Sequence, residues 1–276
     1  MKKLLLAVLL IAFVGIFAAC GNQEAALPEW RDGETFTLII GATPRPHQEI
    51  LEYIRPYLLA DGVELDIRNF ETFPVINPAL ADGTIGANYF QHTPFLNASP
   101  YADRLHMMGL VHIEPMGAYS RTLNDISELS DGARIAIPND ATNHGRALLL
   151  LQTHGIIELD PAAGILATYT SDIIYNPLNL DFVALDAALL PTLGLGDPTV
   201  DVAIINTNHV LAGTDLNPMR DSLIIETPDS PYGNGLTVRA VDKEHPAVLL
   251  LLQHLQSERV RAFIYYEYDG AVVPVF

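Results

Sequence analysis

FTLIIGATPRPHQEILEYIRPYLLADGVELDIRNF (36–70) carries the fold class of this chain. FTLIIGATP (36–44) reads as a buried strand running into a Gly-containing loop. PHQEILEYIRPYLLADG (46–62) reads as a helix, because Ile50, Tyr53, Ile54, Tyr57 and Leu58 recur on one face and Gly62 stops it. Pro56 is expected to kink or divide that helix. VELDIRNF (63–70) alternates Val63, Leu65 and Ile67 inward with Glu64, Asp66 and Arg68 outward, which is the period of a strand. A strand, helix and strand in that order predict a parallel pair joined by a right-handed crossover.

A second such unit lies at RIAIPNDATNHGRALLLLQTHG (134–155). The apolar run through Ile135 and Ile137 ends at Pro138, as a strand end does. Asn139, Asp140, Thr142 and Asn143 are turn and N-cap formers, Ala147 to Leu151 is helix-forming, and Gly155 suits a C′ stop. A helix entrance presents unpaired N–H groups and partial positive charge. Arg146 is expected in the first turn, where the dipole disfavours a cation. Two readings follow: a bound carboxylate gripped by two parallel hydrogen bonds, or a nearby acid such as Asp140 as its partner.

Outward from these units, strands and helices alternate to the end of the chain, which predicts an α/β protein. HIEPMGAYS (112–120) reads as a strand, as do DFVAL, VDVAIIN, SLIIET and GLTVRA, and AVLLLLQHLQS and RVRAFIYYEY read as closing helices. The opening strand-helix-strand unit and the last helices are expected in one lobe, residues 34–117 plus 231–276, and residues 118–230 in the other. Ligands of such sheets meet the carboxyl ends of the strands.

The N-terminus has Lys2 and Lys3, an apolar run from Leu4 to Ala18, then Ala19 and Cys20. The run is shorter than the ~20 residues that span a bilayer, and reads as a secretory signal over 1–19. FAAC (17–20) resembles a bacterial lipobox, with Phe17 in place of the usual Leu, and makes Cys20 the expected lipidation site. Residues 20–33 read as a polar tether. Cys20 is the sole cysteine, so no internal disulfide forms. Loss of residues 1–19 leaves 13 Lys+Arg against 33 Asp+Glu, a net charge of −20. Such a charge disfavours nucleic acid and electrostatic binding to anionic lipid, leaving membrane contact to the lipid anchor alone.

GATPRPHQEILE, ALADGTIGANYFQHTPFL, VHIEPMGAYS, IAIPNDATNHGRALLLL, DVAIINTNHVLAG, DSPYGNGLTVR and the closing GAVVPVF resemble, in order and spacing, the NlpA/MetQ family of methionine-binding lipoproteins. The resemblance covers about residues 36 to 276. It implies a type II periplasmic-binding-protein fold, in which two α/β lobes close on an amino acid. It also implies a monomer on the extracytoplasmic face of the cell membrane that delivers L-methionine to an ABC permease and its ATPase, with no cofactor. Asn143 and Arg146 match the family's carboxylate-binding pair. Asn206 and Asn234 match asparagines placed on the ligand's backbone, and an amide can accept from an ammonium and donate to a carboxylate. Phe73, Phe90 and His92 are implied as the side-chain pocket, where a thioether packs against aromatic edges. On a strand Phe90 and His92 share one face.

Three departures from the family pattern stand out: Phe73 for Tyr, Arg45 for Gly in the GATPxPH loop, and His144 for Gly. They keep open a methionine derivative or a Met-containing dipeptide as ligand, since losing a hydroxyl from a pocket wall changes discrimination strongly. An enzyme has little support: GxSxG, HExxH and the P-loop are absent from the sequence. A metal-binding surface lipoprotein has little more, because the nine histidines are scattered and His106 and His112 are six apart. An adhesion or structural lipoprotein that has lost ligand binding is opposed by the joint presence of Asn143, Arg146, Asn206 and Asn234.

Overall fold

The computed structural model describes residues 26–276. The signal segment and Cys20 lie outside the described residues. Among the described residues are thirteen strands and eight α-helices; eleven of the strands form two main sheets with helices packed on them. The first sheet is built by β1 (Phe36–Ala42), β2 (Val63–Asn69), β3 (Ala87–His92), β4 (Leu105–Ile113), β12 (Gly233–Arg239) and β13 (Val273–Pro274), in the order β13-β4-β12-β3-β1-β2. β1 pairs in parallel with β2 and β3, while β12 runs antiparallel to β3 and β4. The parallel pair expected from residues 36–70 is therefore present, with Phe36 opposite Val63 and Leu38 opposite Leu65.

The crossover helix α1 runs Glu49–Ala60, continuous through Pro56. It is entered through a helical turn over Pro44–Gln48, broken at Arg45, which is extended (φ −129°, ψ 141°). Ile50, Ile54 and Leu58 from α1 meet Leu38, Ile40 and Leu65 from the sheet and Leu251 and Ile264 from α7 (Pro246–Leu255) and α8 (Glu258–Tyr268) in one buried cluster. Full burial of each such side chain contributes roughly 1.5–3 kcal/mol.

The second sheet contains β5 (Gly117–Tyr119), β6 (Arg134–Pro138), β9 (Asp181–Leu185), β10 (Val202–Ile205) and β11 (Ile224–Ile225), ordered β11-β5-β10-β6-β9. β7 (Glu158–Leu159) and β8 (Ile173–Tyr175) form a small hairpin beside it. Its core gathers Ile135, Ile137, Val202 and Ile204 with Leu148 and Leu151 of α4 (Ala141–Thr153). α4 is capped by Asp140, whose carboxylate accepts the Asn143 N–H. It stops before Gly155, which sits at φ +70°, a conformation that costs glycine little. The remaining helices are α2 (Ile76–Ala81), α3 (Thr93–Ala98), α5 (Thr207–Gly213) and α6 (Pro218–Asp221).

HIEPMGAYS, read as one strand, is two. β4 ends at Ile113 and β5 starts at Gly117, with Pro115 between them. Pro has no N–H to give a ladder, and here the chain passes from the first sheet to the second. It returns between β11 and β12. Part of the stretch read as a tether is docked on the first lobe. The Leu27 N–H donates to Asp242 at 2.7 Å, and Trp30 packs on Phe36 with ring centroids 6.3 Å apart.

Candidate functional site

A narrow cavity, with about 330 Å³ of empty space that includes its opening to solvent, lies between the two sheets. Phe73, Phe90, His92, Asn143, Arg146, Asn206 and Asn234, drawn from both lobes, all line it. Strand ends and helix starts deliver them. His92 closes β3 and caps α3, Asn143 is in the first turn of α4, Asn206 precedes α5, and Asn234 is on β12 opposite His92.

Hydrogen bonds fix the orientation of the amides and of the histidine. His92 Nδ1 accepts the Phe95 N–H at 3.1 Å, so Nε2 carries the hydrogen and donates to Asn143 Oδ1, also at 3.1 Å. Asn143 Oδ1 accepts a second bond, from Asn206 Nδ2 at 2.9 Å, and its own Nδ2 donates to both Asp140 oxygens at 3.0 Å. A polar chain thus runs from Asp140 through Asn143 to Asn206 and, across the cleft, to His92. Asn206 Oδ1 is buried without a hydrogen-bond partner, and a buried acceptor left so is costly until a donor arrives.

Arg146 is placed differently from its sequence reading. It is the sixth residue of α4, beyond the first turn, so the dipole conflict does not arise. Its resident partner is Glu226 rather than Asp140: Nε and Nη2 donate to the two carboxylate oxygens at 2.8 and 2.6 Å. Nη2 also reaches the Glu114 carbonyl at 2.7 Å, and the guanidinium lies 4.2 Å from the Tyr232 ring centroid. Asp140 is occupied as the helix cap. Glu226 comes from just past β11, a partner that sequence proximity does not reveal.

Glu114 lines the same cavity and was not singled out from the sequence. Its carboxylate faces His112 Nε2 at 2.7 Å and His47 Nε2 at 3.2 Å, and burial raises its pKa. Thr43 engages His47 Nδ1, and the Tyr89 hydroxyl engages His112 Nδ1. Ligand atoms of His47, His112 and Glu114 lie within 4.8 Å of one another, the arrangement among the described residues that could hold a cation. Here these atoms bond one another, and the effect is to hold the Glu114 carboxylate in the cavity wall. The alternation of VHIEP, which puts His112 and Glu114 on one face of a strand end, is the signal that could have found them.

The far end of the cavity is aromatic. The Phe73 ring centroid lies 5.9 Å from those of Phe90 and Phe95 and 4.8 Å from His209, whose buried Nε2 has no partner. His144 turns away from the cavity. Its Nδ1 meets the Pro138 carbonyl at 3.0 Å, its Nε2 accepts the Tyr169 N–H, and its ring stacks on Tyr169.

Four buried histidines couple this region to pH. Desolvation lowers His47 and His209 to about 4, and His92 and His112 to about 3. Each is neutral when folded and binds a proton in the unfolded chain below about 6.5. Stability is therefore full above pH 6.5 and falls as pH drops towards 3–4, by up to ~1.4 kcal/mol per pH unit per histidine. The raised Glu114 acts in the opposite sense but is a single group. Urea midpoints that stay level between pH 7 and 5 would contradict this.

Residues 38–276 match the family model described as NlpA lipoprotein. The chain is 35% identical to the methionine-binding lipoprotein MetQ of Bacillus subtilis, over all of this chain and 99% of that one. A nutrient-binding protein from Burkholderia cenocepacia, solved bound to methionine, superimposes with a TM-score of 0.82 at 38% identity, covering 87% of this chain and 100% of that one. A periplasmic substrate-binding protein of an ABC transporter from Coxiella burnetii gives 0.80 at 36% identity, covering 86% and 100%. The architecture is the two-lobe periplasmic-binding fold.

Proposed function

The chain belongs to the NlpA lipoprotein family, and from that premise we propose that it captures L-methionine between its lobes and delivers it to an ABC permease and its ATPase. The observation that carries this is one cavity with a charged, amide-rich end and an aromatic end. A zwitterion with an apolar side chain is the ligand such a cavity complements. Nη1 of Arg146, outside the Glu226 pairing, takes the carboxylate, and Asn143, whose Nδ2 donates to Asp140, moves one of its hydrogens to the ligand on binding. The ammonium goes to the unpartnered Asn206 Oδ1, to Asn234 and to the Glu114 carboxylate. The thioether lies among Phe73, Phe90 and Phe95, each sulfur–ring contact contributing ~0.3–1.5 kcal/mol. No bond is made or broken. Hinge closure of the lobes is the working step. Among the described residues no helix is long and apolar enough to cross a membrane, and a lipid on Cys20 supplies the anchor on the extracytoplasmic face.

Mass spectrometry of small molecules released by denaturing purified residues 21–276 tests the reading. Methionine near one per chain is expected. A protein that carries none and shows no thermal shift with added methionine would overturn it.

Arg45 gives a narrower test. From the first lobe its Nη1 reaches the Leu211 carbonyl in the last turn of α5 at 3.3 Å, a position that favours a cation. Its side chain is about one-third exposed, so the contact contributes only ~0.2–1 kcal/mol. Arg45→Gly is expected to speed methionine release by roughly two- to five-fold with little change in association rate. An unchanged release rate in stopped-flow would remove Arg45 from closure.

A further inference from the structure

A second cleft adjoins the first. Both are lined by Phe73 and Phe95, so one pair of rings divides them. The second holds about 790 Å³, open to solvent, between α2 and α3 of the first lobe and the start of α4 in the other. Its walls on the first-lobe side are Pro74, Pro78, Pro100 and Tyr101, apolar surfaces that lose little conformational entropy when covered. Ala98 and Pro100 at its margin are exposed. The dividing Phe73 is a buried member of the apolar cluster of α2 and β3, in ring contact with Phe90, Phe95 and His209 and without a polar atom that could tie it in place.

We propose that this cleft is a subsite for the sulfur substituent of larger ligands, so that the protein also takes S-substituted homocysteines whose apolar or aromatic group replaces the methyl of methionine. The inference rests on the amino-acid reading of the inner cavity. The charged end holds the zwitterion, the side chain points to the aromatic end, and a group too long for the inner cavity passes the Phe73–Phe95 wall. A channel half open to water tolerates variation in length, because the distal atoms need no closed shell around them. The rim facing it at the start of α4 is Asp140, Ala141 and Thr142; Asp140 is engaged as the helix cap and accepts from the Thr142 hydroxyl, so the cleft adds contact rather than a free charge partner.

Calorimetric titration of the purified protein with L-methionine and with S-benzyl-L-homocysteine tests this. Wild type is expected to bind the benzyl compound within about tenfold of methionine. Ala98→Trp, which fills the outer cleft from its exposed margin, is expected to keep methionine affinity and lose more than about tenfold for the benzyl compound. Phe73→Ala, which opens the wall, is expected to shift preference towards the benzyl compound by at least about tenfold. Benzyl binding unaffected by Ala98→Trp, or undetectable in both wild type and Phe73→Ala while methionine binds wild type, would overturn the subsite. Failure of wild type to bind methionine would instead overturn the inner-cavity reading.

Discussion

Arg146→Ala is expected to weaken methionine binding by roughly two to four orders of magnitude while leaving a folded protein. The guanidinium is buried and is the cation of the cavity wall. Its loss removes the charge that would meet the ligand carboxylate. It also leaves Glu226, only 11% exposed in its side chain, without its bidentate partner. Removing one member of a buried ion pair costs ~3–5 kcal/mol of stability, and removing the buried partner of the ligand carboxylate costs a further ~2–5 kcal/mol of binding, roughly two to four orders of magnitude in affinity. Calorimetry gives the affinity, and far-UV circular dichroism confirms the fold. Arg146→Lys is expected to recover only part of the loss, because an ammonium keeps the charge but not the planar fork that grips Glu226. Wild-type affinity in the Ala variant would take Arg146 out of the site.

Gly145→Ala is expected to be strongly damaging to the second lobe. A Cβ there would stand 2.2 Å from the Ile165 carbonyl oxygen, 2.9 Å from its carbon and 3.1 Å from the Ala167 nitrogen. These are backbone atoms, so no side-chain rotation relieves the overlap. Either α4 or the Gly164–Leu166 turn must move. Overpacking of this kind costs ~1–3 kcal/mol, which for a chain of this size lowers the melting temperature by roughly 2–10 °C. Gly145 lies between Asn143 and Arg146, so methionine affinity is expected to fall as well. A melting curve superimposable on wild type would show that the 164–167 segment yields freely.

The fold was largely legible because its signals are local. The alternation of 63–70, the apolar face of 50–58 and the Asp140 and Gly155 stops of α4 depend on near neighbours, and the structure carries each of them. The front half of β4 was less legible: LHMMGL has no clean alternation, and after the buried Leu105 its residues pass between exposed and half-buried. The wall of the cavity was legible mainly through family resemblance, since it is assembled from segments far apart in the chain. Local spacing put Asp140 beside Arg146, whereas the ladder order of the second sheet delivers Glu226 from 80 residues away. Glu114 and Phe95 were passed over for the same reason. Phe95 looks like ordinary core until α3 folds back over Phe73 and Phe90. His47 and His112 form a cluster only once the loop before α1 lies beside β4.

The docked segment at the start of the described chain sets a leash. The Pro28 carbonyl accepts from His245 Nε2 and the Leu27 N–H is bonded to Asp242, so the first lobe holds the chain from Leu27 onward. If Cys20 carries the lipid, only the residues before Leu27 span the gap to the bilayer, and at ~3.3–3.6 Å per residue their reach is at most about 25 Å. The first lobe is then held within one protein diameter of the membrane. On the proposed function, encounter with a membrane-embedded transporter would become a search over a thin layer rather than through a volume. Tethering over such a span corresponds to effective concentrations on the order of millimolar, so even a weak docking contact would be occupied much of the time.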